Sequence, residues 1–154
     1  MKDFFEQDTD TTRTLIPLHD THPAPDDSAG AALLRYWEGL CRGGLLPYRA
    51  EVDPRAIGGL LPHTFLLERI APGLARFRVA GTHLAEVMGM DVRGMPASCL
   101  IAPGARERFA DALTALFDRP ARLDLDLHSA GGLARPELAG QMTLLPLRGP
   151  QGAV

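Results

Sequence analysis

Residues 121–128 constrain the fold more than any other stretch of this chain. Leu123, Leu125 and Leu127 alternate there with Arg122, Asp124, Asp126 and His128. A period of two places the leucines on one face of a strand and the polar groups on the other. The leucine face needs a covering layer, and strands adjacent in sequence supply antiparallel partners.

The rest of the chain offers both. A last strand is expected over 137–147, with Pro146 marking an edge or a bulge. Thr64 to Ile70 reads as an apolar strand, Ala71-Pro72-Gly73 as a turn, and Leu74 to Ala80 as the hairpin partner. In that partner Phe77 and Val79 are expected on one face, Arg76 and Arg78 on the other. A first helix is expected over 31–42, with Leu33, Leu34, Trp37, Leu40 and Cys41 on one stripe and Gly43-Gly44 as its stop. Asp53-Pro54 starts a short helix with Ile57, Leu60 and Leu61 inside, ended by Pro62. Thr82 caps another, with Leu84, Val87 and Met88 on its apolar side and Gly89 at its end. The stretch Asp91 to Cys99 is irregular. Pro103 opens the longest helix, to about residue 118, with Phe109, Leu113, Leu116 and Phe117 on one side. The fold class is α+β, with helices packed on one antiparallel sheet.

Two regions are expected: a flexible tail over residues 1–30 and one domain over 31–154. The tail is rich in Thr, Asp, Pro and Ser and cannot offset its own ordering entropy. Its apolar island Leu15-Ile16-Pro17-Leu18 either docks on the domain or a partner, or stays loosely ordered. The formal net charge of −3 does not suit a nucleic-acid binder. No apolar run approaches the roughly 20 residues of a membrane span, and the start carries no signal-peptide core, which implies a cytoplasmic protein. Cys41 and Cys99 read as free thiols.

In their order and spacing these segments resemble the PAS domain family, in particular a compact bacterial stand-alone variant. The resemblance rests on Trp37, Leu46-Pro47 with Arg49, Asp53-Pro54, and Leu60-Leu61-Pro62-His63 leading into Phe65-Leu66-Leu67. It continues through Phe77-Arg78-Val79-Ala80-Gly81-Thr82, Gly89 with Asp91, Gly94, and Leu144-Leu145-Pro146-Leu147. It implies a five-stranded antiparallel sheet, a space between sheet and helices that can hold a small molecule, and dimerisation through the N-terminal helix. One strand is short: after Leu147 only Arg148 to Val154 remain. Either the last strand is missing from a fragment, or the sheet has four strands and an open edge.

The sequence contains no GxSxG, Walker A, HExxH or CxxC motif, so the chain is not expected to be an enzyme. No cofactor is assigned. His19 and His22 lack a third ligand, so no metal site is expected. His63 reads as a junction residue or a ligand contact. The candidates for a ligand-facing inner wall are Phe77, Val79, His83, Leu84, Met88, Met95, Phe109, Leu113, Leu125 and Leu127. The candidates for a partner interface are Leu33, Leu34, Trp37 and Leu40, with Trp37 as the anchor of a homodimer. The expected function is a sensory or regulatory module that signals by conformational change, with a signalling protein as a further partner. The alternative is a ligand-free interaction scaffold that acts through the N-terminal helix and the sheet surface. A cavity of several hundred Å³ would favour the first, and a filled core the second.

Overall fold

A computed structural model describes residues 16–17, 28–129 and 138–154. The regular elements are β1 (Ile16–Pro17), α1 (Ala29–Leu40), β2 (Phe65–Ala71), β3 (Leu74–Ala80), α2 (Thr82–Met88), α3 (Arg106–Asp118), β4 (Ala121–Ser129) and β5 (Leu138–Leu144). The architecture is α+β, as the patterning implies. The pairings between these strands are all antiparallel among the described residues.

The strands form two sheets, β2-β3 and β1-β4-β5. β4 pairs with β5 in unbroken register from Leu123–Leu144 to Ser129–Leu138. The leucines of β4 face inward as the alternation requires, and Met142 and Leu144 of β5 join them. The open side of β3 is taken up by the segment after α2: the Phe77 N–H donates to the Met95 carbonyl, and the Gly94 N–H to the Phe77 carbonyl. The far edge of β4 pairs with β1, Ile16 opposite Arg122 and Pro17 opposite Ala121. The backbone of Ile16 and Pro17, the described part of the apolar island, is therefore paired with the domain. Residues 1–15 and 18–27 of the expected tail, with His19 and His22, lie outside the described residues, and residues 28–30 belong to the start of α1.

One core joins the two sheets. Phe77, Phe109, Leu113, Leu123 and Leu125 are each at most 1% exposed and belong to a single cluster. α3 supplies Phe109, Leu113 and Leu116 to it, and α2 supplies Met88. α1 lies on the opposite, polar face of β5, where Gly30 abuts the side chain of Thr143. It begins at Ala29, ahead of the expected residue 31, because Ser28 accepts a hydrogen bond from the Ala31 N–H at 3.0 Å and so caps it.

Two local expectations are corrected. The segment after Asp53-Pro54 is not an α-helix but a 3-10 helix over Gly58–His63, with Pro62 inside it. Gly58-Gly59 opens it with two of the poorest α-formers, and 3-10 geometry suits so short a piece. Thr82 is the first residue of α2, not its cap; Gly81 occupies the cap position. In keeping with the shortfall expected after Leu147, the residues there add no strand to the sheet. Arg148 bridges in parallel to Tyr48, and the Gly149 N–H then turns back to the Ala153 carbonyl.

Candidate functional site

The apolar inner face and the helices that cover it are where a small-molecule site was expected. Six of the expected wall residues do converge there. Phe77, Met88, Phe109, Leu113, Leu125 and Leu127 all belong to the one buried cluster. Leu84 and Met95 are half-buried and pack against its margin. Phe65 of β2 meets Phe77 edge-on, with ring centroids 5.5 Å apart, an arrangement favoured by the ring quadrupoles.

Two expected wall residues are not there. Val79 is 49% exposed. β3 carries a bulge: Leu66 pairs with Val79 but Leu67 with Phe77, so Arg78 is an extra residue on that strand. One inserted residue reverses the facing of everything beyond it, which turns Val79 outward. His83 is exposed as well, on the outer side of α2. Its ring lies beside that of His63, with centroids 4.6 Å apart. Met90, two residues beyond the wall candidate Met88, is 47% exposed, while Met88 is buried.

Some core residues carried no periodic signal. Val92, Cys99, Leu100 and Ile101 are almost wholly buried, yet they lie in or beside the segment expected to be irregular. The apolar run Cys99-Leu100-Ile101 was the one clue. A 3-10 helix over Ala97–Leu100 turns it inward beneath α3.

The interface candidates are divided likewise. Trp37 is buried within its own chain, and its indole N–H donates to the Pro146 carbonyl at 2.9 Å. It is therefore not free to anchor a partner. Leu33, Leu34 and Leu40 are half-buried. Burial, and then the nearby Glu38 carboxylate, push the Cys41 thiol above its ordinary value.

The outer faces are polar and cross-linked. On β4-β5 the Thr143 hydroxyl donates to Asp124 at 2.8 Å, and the Gln141 amide donates to Asp126 at 3.0 Å. Arg122, buried beside them, holds its Nε 2.7 Å from Asp124 Oδ2 without the alignment of a hydrogen bond. On β2-β3 the Glu68 carboxylate accepts from Arg76 at 2.8 Å and from Arg78 at 2.9 Å. These groups pair with one another. No group of three or more His, Cys, Asp or Glu placed to hold a metal occurs among the described residues. Nor is any helix among them long and apolar enough to cross a membrane.

Comparison with known proteins gives one result. The model of the family described as PAS domain matches residues 26–154. The comparisons with curated proteins and with solved structures each returned no match.

Proposed function

Because the chain belongs to the PAS domain family, we propose that it is a non-catalytic sensory or regulatory module that binds a small ligand or a protein partner and signals by conformational change. The reading is supported above all by α2. This helix has seven residues, about half the length at which an isolated helix becomes even marginally stable. Beyond its anchored start at Gly81, packing holds it, through buried Met88 and half-buried Leu84 and Val87. Left-handed Gly89, at φ +67°, ends it. A ligand that favours one position of α2 over another shifts the population accordingly. Met88 and Met95 suit the role, because unbranched thioether side chains repack around apolar shapes at low cost. The protein itself performs no chemical step, and its output passes to a second protein.

A homodimer through α1 uses Leu33, Leu34 and Leu40, with Trp37 committed to the chain's own interior. The scaffold alternative is favoured by the outward turn of Val79 beside Leu66 on the solvent face of β2-β3. Native mass spectrometry of the purified full chain, combined with a thermal-shift screen of apolar ligands, tests these readings. A co-purified small molecule, or a ligand that raises the melting temperature, supports sensing. A protein that carries nothing and responds to no ligand leaves only the scaffold role.

A further inference from the structure

His63 and His83 stand together with their ring centroids 4.6 Å apart and their planes inclined by 52°. Both side chains are exposed. His63 closes the 3-10 helix Gly58–His63, and His83 is the second residue of α2. The two elements are locked at Gly81, where a Cβ would overlap the carbonyl oxygens of Leu61 and Pro62. The Gly81 N–H also donates to the Thr64 carbonyl at 2.9 Å. The two imidazoles are thus presented by a fixed junction, not by one mobile loop.

We propose that His63 and His83 chelate one divalent transition-metal ion, of the Zn²⁺ class, at a site open to solvent. Zinc binds an imidazole nitrogen at about 2.0–2.1 Å, which at nitrogen–zinc–nitrogen angles of about 90–110° places two rings on one ion with centroids about 4.5–5.3 Å apart. The observed 4.6 Å lies at the short end of that range, so a small opening of the two rings reaches tetrahedral geometry. Rings inclined to one another can each aim a nitrogen at a shared point, which a parallel stack cannot do. With no third His, Cys, Asp or Glu close by among the described residues, water or an outside ligand completes the coordination. An all-imidazole donor set favours zinc, copper or nickel over magnesium and calcium. The bound ion ties α2 to the segment that leads into β2. This inference does not depend on a ligand inside the core.

The test is calorimetric titration of Zn²⁺ into the full chain carrying His19→Ala and His22→Ala, which removes the histidines of the N-terminal segment from the measurement. One equivalent is expected to bind and to raise the melting temperature. His63→Gln or His83→Gln, each at an exposed position and checked for folding by circular dichroism, should weaken binding by about tenfold or more and abolish the thermal response. Absence of binding in the parent, or unchanged affinity in either glutamine variant, overturns the proposal.

Discussion

The indole Nε1–H of Trp37 in α1 donates to the carbonyl oxygen of Pro146, just beyond β5, at 2.9 Å. The next residues extend the junction. The Arg148 N–H donates to the Pro47 carbonyl, the Arg49 N–H to the Arg148 carbonyl, and Arg148 Nε to the Leu46 carbonyl. The Arg148 guanidinium also lies over the Tyr48 ring, 4.0 Å from its centroid. One buried tryptophan and one arginine therefore hold α1, the segment after it and the end of the chain together.

This junction predicts a graded loss. Trp37→Phe keeps most of the apolar volume but removes the donor, and should cost about 1–2 kcal/mol. Trp37→Ala also opens a cavity and should cost about 3–5 kcal/mol. Urea unfolding of the two variants measures both. A Trp37→Phe variant as stable as the parent would mean that the hydrogen bond contributes nothing.

A second prediction concerns Gly81. Its φ of −68° is open to any residue, so only the approach of Leu61 and Pro62 demands glycine. Gly81→Ala would force its methyl group into backbone carbonyls, which cannot move aside as a flexible side chain would. A loss of about 1–3 kcal/mol is expected in urea, together with separation of the His63 and His83 ring signals by NMR. A variant as stable as the parent would show that α2 and the Gly58–His63 helix are not locked there.

Much of this fold was legible in the residues, and the failures have a common cause. β4 was readable because one side of it is dry and the other is ionic, so its alternation survives from Leu123 to His128. α3 was readable for the corresponding reason at helical period. The bulge at Arg78 was not readable. It depends on the register against Leu66 and Leu67, a partnership that β3 does not encode alone. Trp37 fitted both a core and an interface stripe, and only the distant Pro146 carbonyl decided between them. The contact of His63 with His83 follows from a close approach of backbones at Gly81, for which a lone glycine before Thr82 is a weak sign. Local period reveals which face is apolar, but not what is brought against the other face.

A third prediction follows from Glu68. Hydrogen bonds from Arg78, and then from Arg76, hold its carboxyl below the usual carboxylate range. A carboxyl with a lower pKa in the folded than in the unfolded chain adds stability above its unfolded value, about 4.3. That contribution disappears as the pH falls below this value and through the folded one. Glu68→Gln should therefore be less stable than the parent at neutral pH and should converge with it in acid. The group is solvent-exposed, so the difference is small and shrinks further in high salt. Urea midpoints measured against pH at two salt concentrations check this. A gap that is constant with pH, or that widens in acid, would contradict it.

The bulge supplies the most discriminating comparison, because Phe77 and Val79 would share a face in a regular strand. In the structure Phe77 is 1% exposed and packs edge-on against Phe65, whereas Val79 is 49% exposed. Phe77→Ala should cost about 3–5 kcal/mol through the cavity it leaves. Val79→Ala, at a site that water already reaches, should fall within about 0.5 kcal/mol of the parent. The same difference separates the two as ligand contacts. A molecule held inside the core touches the first and not the second, so Val79→Ala should leave its affinity unchanged. A loss of about 2 kcal/mol or more for Val79→Ala would mean that β3 runs without the extra residue at Arg78, and Val79 would then return to the inner wall.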